Sequence, residues 1–285
     1  MSEKGLEALK AIIQNTGGKE IDFVVVGTDK NVINDFSNEI IQLSKKYKIT
    51  TALHTELFFI NTKYVIAISW RWLITIENFT LITLHDSLLP KYRGFAPLVS
   101  QLLNREKCIG VSAILTTAEY DKGNVLEQAS VAIEYPIKIQ QAIEHMAQLC
   151  SKVTIKIIQQ ISNGEALKGL PQKEENATYS LWRDEEDYKI DWNNTAADIR
   201  LFVDSVSFPY RGAKTYLGKK TIRIFEVKEI EDVQIENRNP GKVIFVTNNR
   251  PVAVCGSGLL QIIDAKYEDS CKSIFPLNKF RIRFK

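Results

Sequence analysis

Residues 80–85 read Thr80-Leu81-Ile82-Thr83-Leu84-His85, a run of apolar and β-branched side chains that ends in a histidine. Such runs are typical of strands that are buried on both faces of a parallel sheet. Similar runs lie upstream at residues 21–27 and 64–69. Because helical patterns alternate with these runs, the sequence predicts a doubly wound α/β domain.

The helical patterns lie on both sides of these strands. Apolar residues at helical spacing predict helices near residues 6–13, 36–43 and 139–161. Residues 108–117 and 126–133 alternate more strongly, which favours antiparallel strands at one side of the sheet. The chain opens with a helix, whereas a doubly wound sheet normally opens with a strand. Either a first strand is missing from this start of the gene, or the fold does without it.

The C-terminal part has a different pattern. Residues 164–192 are polar and interrupted by glycine and proline, which is typical of a connection. One helix is predicted at Thr195 to Val206, and the remainder consists of short strands separated by glycine and proline. We therefore predict a large α/β domain, together with its connector, at residues 1–200. A small antiparallel β domain, either a sheet or a barrel, is predicted at residues 201–285.

Composition excludes several classes of protein. The net charge is +3, from 37 basic and 34 acidic side chains, and no block of Lys and Arg suggests a nucleic-acid partner. No apolar run reaches the roughly 18 residues that a membrane span requires. The four cysteines are widely spaced, so neither a metal site nor a disulfide framework is predicted. A cytoplasmic location and buried thiols are the expectation.

A polar loop follows directly on the strand at residues 80–84. It reads His85-Asp86-Ser87-Leu88-Leu89-Pro90-Lys91-Tyr92-Arg93-Gly94-Phe95-Ala96-Pro97. Open α/β sheets bind their ligands just outside the carboxyl ends of the strands, so this histidine is well placed for catalysis. A single histidine could equally hold the loop by hydrogen bonding.

This loop resembles the H-x-S-L-L-P-x-Y-R-G motif of the formyltransferases that use 10-formyltetrahydrofolate. The D-x-G turn within Thr117 to Asn124, and the stretches 70–74, 186–192, 208–213 and 240–243, are similar to further landmarks of that family. The resemblance covers essentially the whole chain and is closest to the amino-sugar N-formyltransferases. It implies a Rossmann-like formyltransferase domain, a small OB-like C-terminal domain, and 10-formyltetrahydrofolate as the formyl donor.

The resemblance also implies catalytic roles. An amine that attacks a formyl carbon needs a base for its surplus proton and a donor for the oxyanion. His85 matches the family's acid/base, and Asp121 matches the Asp that orients the histidine or relays the proton. The family's Asn falls at Thr83, which can donate one hydrogen bond but is shorter. Either Thr83 or His85 covers the oxyanion, or activity is reduced.

Binding residues are carried over in the same way. The expected cofactor residues are Trp70, Trp72, Leu73, Ile74, Phe95, Thr117, Ala118, Glu119, Tyr120 and Asp121. The expected substrate residues are Lys91, Tyr92, Arg93 and Arg183. Alternatives stay open: the two tryptophans could be plain core, Arg93 could anchor the loop to a carboxylate, and Arg183 could be solvated.

Three functions follow from the resemblance. The first is N-formylation of a nucleotide-linked aminodeoxysugar for bacterial surface glycans. The second is methionyl-tRNA formylation, which the short, nearly neutral stretch at residues 27–35 argues against. The third is a binding module or degenerate enzyme, motivated by Thr83 and the missing strand. The pattern leaves open which sugar and nucleotide would bind, and whether two copies pair as a homodimer.

Overall fold

The computed structural model describes residues 2–29, 32–75, 78–277 and 279–285. The chain forms two compact units, one of residues up to 134 together with 141–182, the other of residues 135–140 together with 183–285. The sequence placed the boundary between residues 200 and 201, whereas the structure assigns residues 183–200 to the second unit. The reason is packing, since a helix that begins at Ala196 lies on the sheet of the second unit.

The N-terminal two thirds of the chain contain four α-helices and eight strands among the described residues. In chain order they are α1 (Glu3–Thr16), β1 (Phe23–Val26), α2 (Ser37–Lys46), β2 (Thr50–Leu53), β3 (Tyr64–Ile68), β4 (Thr80–His85), β5 (Arg93–Gly94), α3 (Pro97–Leu103), β6 (Cys108–Leu115), β7 (Val125–Ala132), α4 (Ile139–Ser162) and β8 (Tyr179–Ser180).

Four strands of the first unit form a mixed sheet in the order β3-β4-β6-β7, in which β3 and β4 are parallel and the other pairs antiparallel, while β5 and β8 form a separate parallel pair. The predicted α/β class and the antiparallel strands at one side are confirmed. The predicted sheet is not continuous in the described chain, because β1 pairs only with β2, as a separate parallel pair. The sequence analysis missed β2, whose Thr-Thr-Ala-Leu sequence lacks an apolar run.

The core of the first unit is built on β4, β6 and α4. Leu81, Ile82 and Leu84 of β4 are all buried, as expected for a central strand. Burial also raises the pKa of the Cys150 thiol to about 12, so that this cysteine is a packing residue. The buried stripe of α4 follows helical spacing and consists of Ile139, Ala142, Met146, Cys150, Val153 and Ile157.

The second unit is a five-stranded antiparallel sheet with one helix packed on it, which confirms the predicted small β domain. Thr195 caps the helix, and its side chain accepts a hydrogen bond from the Asp198 N–H. Trp192 stacks on Phe284 near the C-terminus at 5.6 Å between ring centroids. The elements are α5 (Ala196–Val206), β9 (Ala213–Leu217), β10 (Lys220–Ile230), β11 (Val243–Thr247), β12 (Arg250–Val254) and β13 (Leu259–Tyr267), in the sheet order β11-β12-β13-β10-β9.

Candidate active site

His85 is the last residue of β4 and lies at the carboxyl edge of the mixed sheet with only 7% of its surface exposed. Its Nε2 lies 2.8 Å from the carbonyl oxygen of Tyr92. Because a carbonyl oxygen can only accept, Nε2 carries the hydrogen of this bond. The other ring nitrogen, Nδ1, lies 3.5 Å from Oδ1 of Asp121. The two residues that the motif named are therefore brought together, although 36 positions separate 85 from 121.

The turn that carries Asp121 has a backbone that fixes its carboxylate. Asp121 has a φ of 54°, in the left-handed region, and its Oδ2 accepts the N–H of Gly94 at 2.8 Å. A Cβ on Gly123 would lie 1.7 Å from the carbonyl oxygen of Leu115, so only glycine fits there. Gln172 donates from Nε2 to the carbonyl oxygens of both Asp121 and Gly123, at 2.6 and 2.8 Å. The turn formed by Asp121 to Gly123 thus holds Oδ1 of Asp121 toward His85.

A buried hydroxyl network shapes the loop after His85. The Ser87 hydroxyl donates to the carbonyl oxygen of Lys91 at 2.6 Å. Ser112 of β6 donates to the carbonyl oxygen of Ser87 and accepts from the N–H of Leu89. Gln128 of β7 donates to the carbonyl oxygen of Leu89 at 3.0 Å. Buried polar groups that are satisfied in this way fix one loop conformation.

Thr83 precedes His85 by two positions on β4, and both side chains therefore lie on the same face of the strand. The Thr83 hydroxyl lies 2.7 Å from the hydroxyl of Thr116, the residue that follows β6. The sequence analysis did not name Thr116. Only the pairing of β4 with β6 brings Thr116 to this position, where its N–H donates to the carbonyl oxygen of Leu81, two residues before Thr83.

Arg93 is fully buried and serves to anchor the loop. Its guanidinium donates to both carboxylate oxygens of Glu174, at 2.9 and 2.8 Å, and to Oε1 of Gln172. The Glu174 bond raises the pKa of Arg93, and the Arg93 bond lowers the pKa of Glu174. These contacts match the alternative that the sequence left open, in which Arg93 anchors the loop to a carboxylate, and the phosphate contact stays a prediction. Neither Gln172 nor Glu174 was identified from the sequence, because nothing local marks a residue 80 positions away as a partner.

The other expected substrate residues differ in their surroundings. Tyr92 donates its hydroxyl to Glu106 at 2.7 Å, and burial raises the pKa of this hydroxyl. Tyr92 is therefore held within the first unit, like Arg93. Lys91 is exposed. Arg183 belongs to the second unit, where its buried Nε has no hydrogen-bond partner in the part of the chain that the structure describes.

Four of the expected cofactor residues line one large cavity. Trp70, Trp72, Leu73 and Ile74 follow β3 and border a cavity of about 1500 Å³ that does not include His85. The Trp72 ring stacks on His54 at 3.9 Å between centroids. Among the described residues, the buried Trp70 Nε1 has no hydrogen-bond partner. Flat aromatic walls with an unused donor fit a planar, polar pterin ring.

The remaining cofactor residues form an exposed rim beside the His85–Asp121 pair. Phe95 and Tyr120 lie 6.4 Å apart between ring centroids and are 54% and 77% exposed. Thr117, Ala118 and Glu119 are also exposed, and Glu119 pairs with Lys122 at 3.2 Å. Further exposed apolar side chains continue this surface on and after β8, and we call the set the aromatic rim: Phe95, Tyr120, Tyr179, Leu181 and Trp182.

Within residues 2–29, 32–75, 78–277 and 279–285, no group of three His, Cys, Asp or Glu side chains could hold a metal ion. In the same ranges no helix is long and apolar enough to cross a membrane.

Comparison with known proteins gives concordant matches over both units. The model of the formyl transferase family matches residues 26–161, and that of the formyl transferase C-terminal domain matches residues 183–279. A methionyl-tRNA formyltransferase of Caldanaerobacter subterraneus subsp. tengcongensis is 30% identical over 200 residues, which are 70% of this chain and 63% of that protein. The chain thus spans less than two thirds of that relative's length.

Two solved structures show the same fold over nearly their whole lengths. The sugar 3N-formyl transferase WlaRD has a TM-score of 0.62 at 18% identity, with 94% of this chain and 95% of that chain covered. An N-formyltransferase from Helicobacter canadensis has a TM-score of 0.64 at 17% identity, with 91% and 94% covered. At such identities the likeness is one of fold, and it confirms the α/β domain followed by a β domain.

Proposed function

The chain belongs to the formyl transferase family, and on that premise we propose that it is an enzyme that transfers a formyl group from 10-formyltetrahydrofolate to an amine. One observation carries this proposal. The fold places His85 Nδ1 and Asp121 Oδ1 3.5 Å apart at the carboxyl edge of the sheet, where α/β folds bind ligands. A histidine and a carboxylate at this distance can move a proton between them.

The donor, when bound, supplies an electrophilic formyl carbon, and Trp70, Trp72, Leu73 and Ile74 are the residues that would hold its pterin ring. Residues of the chain would then accept the surplus proton of the amine and stabilise the oxyanion. Oδ2 of Asp121 is occupied by the Gly94 N–H, so Oδ1 is the oxygen that accepts the surplus proton of the attacking amine. His85 takes that proton at Nδ1, because its Nε2 is already bonded to the Tyr92 carbonyl, and can return it to the leaving nitrogen of the donor when the bond from that nitrogen to the formyl carbon breaks.

The Thr83–Thr116 hydroxyl pair supplies the oxyanion donor in this proposal. When two hydroxyls bond to each other, one donates and the other keeps its hydrogen free. The pair therefore has one donor to spare on the His85 face of β4. This donor replaces the amide that the family's Asn would supply. The second hydroxyl beside it compensates in part for the shorter threonine side chain.

For the acceptor we infer an amine of a nucleotide-linked sugar. The aromatic rim offers flat apolar surfaces for stacking on a base or a sugar. Two of its neighbouring cations are already paired, Arg93 with Glu174 and Lys122 with Glu119. A tRNA acceptor stem would require many unpaired Lys and Arg side chains. The Helicobacter canadensis enzyme of the same fold was solved with dTDP-3-aminofucose, which supports the same class of acceptor.

Methionyl-tRNA is the second candidate acceptor. The observation in its favour is the 30% identity to a methionyl-tRNA formyltransferase. Against it stands the short, nearly neutral stretch at residues 27–35, of which residues 30 and 31 lie outside the described residues. The formyl donor and the His85–Asp121 chemistry would be the same for either acceptor.

The test is a direct comparison of acceptors. The purified chain is incubated with 10-formyltetrahydrofolate and either a panel of aminosugar nucleotides or charged initiator tRNA, and products are read by mass spectrometry. We expect one aminosugar nucleotide to gain a formyl group and the tRNA to gain none, with His85→Ala as the inactive control.

Efficient tRNA formylation would reverse the choice of acceptor. If no acceptor is formylated and a stable folate analogue fails to raise the melting temperature, the enzymatic proposal fails as a whole.

A further inference from the structure

A buried ion pair lies directly after the strand end that carries His85, and neither of its residues takes part in the proposed proton transfer. Lys4 of α1 donates from Nζ to Oδ2 of Asp86, the residue that follows His85. The two side chains are only 11% and 22% exposed. Because 82 positions separate the partners, nothing in the local sequence indicates that they meet.

Lys4 belongs to the buried face of α1, where the other residues are apolar. Lysine is rarely buried unless its charge is paired. A buried ion pair contributes little net stability, because the cost of removing two charges from water offsets their attraction. Stability therefore does not explain a lysine at this position, and its role is to be sought in what it does to Asp86. The other buried residues of the helix are Leu6, Ala8, Leu9 and Ile13.

Asp86 is held at its main chain as well as at its side chain. Gln101 of α3, which is 3% exposed, donates from Nε2 to the Asp86 carbonyl oxygen at 2.7 Å. The carbonyl oxygen of the next residue, Ser87, accepts the Ser112 hydroxyl at 2.6 Å. The main chain just after His85 is thus fixed from α1, α3 and β6. Because His85 shares a peptide with Asp86, the starting point of its side chain is fixed as well.

The charge that faces the His85 ring comes from Asp121, whose Oδ1 lies 3.5 Å from Nδ1. β6 places the neutral Ser112 opposite His85 in the strand register. The Tyr92 hydroxyl and the Arg93 guanidinium of the loop are bound to carboxylates elsewhere in the unit. Asp86 is the further carboxylate beside His85, and its charge is the one that Lys4 balances.

α4 adds a neutral group next to this ion pair. Cys150 is 0% exposed, and burial raises the pKa of its thiol to about 12. Asp86 adds to this rise in pKa, and Lys4 opposes it. A thiol with such a pKa carries no charge at neutral pH, so it does not compensate either partner. Among the described residues, Lys4 is the cation that forms an ion pair with Asp86.

We propose that Lys4 is a positioning residue for formyl transfer, an inference that rests on the proposed function. Through Asp86 it fixes the main chain after His85, and thereby the placement of the imidazole against Asp121. Its charge cancels that of Asp86, so that Asp121 sets the charge that the imidazole meets. The lysine acts through Asp86 and not on the substrate.

Two single variants change the charge beside His85 in opposite directions. Lys4→Met keeps most of the side-chain length and leaves the Asp86 carboxylate unbalanced, which favours the imidazolium form. Asp86→Asn leaves the ammonium unbalanced, which disfavours it. In an NMR titration of the free protein, the midpoint of the His85 signals should rise by about 0.5–1 pH unit in the first variant and fall by a similar amount in the second. His85→Ala identifies these signals among the three histidines.

A double variant and a surface variant serve as controls for the titration. Lys4→Met combined with Asp86→Asn removes both charges and should return the midpoint to that of the unchanged protein. Lys10→Met removes the same charge from an exposed pair with Glu7 on the same helix. It should leave the midpoint unchanged, because water screens exposed charges.

Formyl transfer gives the second readout. Each single variant should lower kcat by about tenfold with little change in KM, because a displaced His85 weakens the transition state and not substrate binding. The double variant should recover the acid limb of the pH–rate profile but not the full rate, since its neutral side chains no longer tie α1 to the loop. Lys10→Met should match the unchanged protein in both respects.

The two readouts fail separately. Titration midpoints that move in the same direction, or do not move, overturn the inference, because the pair would then serve packing alone. Unchanged kcat in both single variants of an active protein overturns it as well. If the unchanged protein formylates no acceptor, the proposed function fails, and the titration still decides whether Lys4 balances Asp86 beside His85. Melting temperatures establish folding, and Asp86→Asn, which keeps the shape of the side chain, carries the test if Lys4→Met does not fold.

Discussion

The carboxyl ends of the neighbouring strands β4 and β3 support two very different surroundings. After β4, His85 donates a hydrogen bond to the Tyr92 carbonyl, and Asp121 accepts hydrogen bonds from the Gly94 N–H and the Gln172 amide. After β3, Trp70 and Trp72 border an open cavity, and the Trp70 Nε1 has no partner in the described chain.

This difference separates two tasks. Groups that move protons must be held at fixed distances before the substrate arrives, and a satisfied polar network does this. Groups that bind a planar ring can remain exposed and without hydrogen-bond partners in the free protein. The ligand then covers the exposed surface and accepts the free hydrogen-bond donors. Variants at the end of β4 should therefore change the rate, and variants at the end of β3 should change affinity.

The largest expected effect is that of His85→Ala. Loss of the residue that takes the proton should lower kcat by about 100- to 10,000-fold, with little change in KM for the donor. Steady-state kinetics measures both. His145→Ala, at a half-buried histidine of α4, is the matched control and should retain activity. Near-full activity of His85→Ala would remove the catalytic assignment.

A smaller loss is expected for Asp121→Asn, about 100-fold in kcat, because the amide oxygen can still accept the Gly94 N–H but no longer takes a proton. The double variant with His85→Ala should be no slower than His85→Ala alone, since residues that act as a unit fail together. Multiplying losses in the double variant would instead show that the two residues act independently.

Trp70→Phe tests the surroundings of β3, because it should raise the stability of the free protein and lower its affinity for the donor. Removing an unsatisfied buried N–H should stabilise the free protein by about 1 kcal/mol, or about 2–4 °C in melting temperature. If the same N–H binds the donor, the Kd of a folate analogue should rise by about fivefold while kcat stays unchanged. An unchanged Kd would mean that the indole N–H has no part in donor binding.

The smallest effect is expected at Thr83, compared in two variants. Thr83→Asn should raise kcat a few-fold without changing KM, the mark of an interaction made in the transition state. Thr83→Val removes the hydroxyl that faces Thr116 and should lower kcat. If Thr83→Asn lowers both kcat and the melting temperature, the strand end has repacked around threonine and the longer side chain is overpacked.

Several features of this site could be predicted from short stretches of the sequence. The apolar run of β4 determined a buried strand, and chain continuity alone then put His85 at its carboxyl end. The D-x-G turn was identified by its resemblance to the family's motif, and the structure gives the reason for its glycine, since a Cβ at Gly123 would collide with the Leu115 carbonyl. The helical spacing along α4 likewise gave its buried face. Each of these features depends on interactions among near neighbours in the chain.

Tertiary structure decided what local patterns leave undetermined, namely which partner each side chain meets. The sequence left open whether Arg93 binds a substrate phosphate or anchors the loop to a carboxylate, and only the fold brought Glu174 and Gln172 against its guanidinium. It also placed the Thr83 hydroxyl against that of Thr116. It put β1 and β3 in two different sheets, with both strands lining one cavity. Periodicity tells which face of an element is buried. It does not identify the element against which that face packs, because hydrogen bonds and packing depend on distance in space and not on separation in sequence.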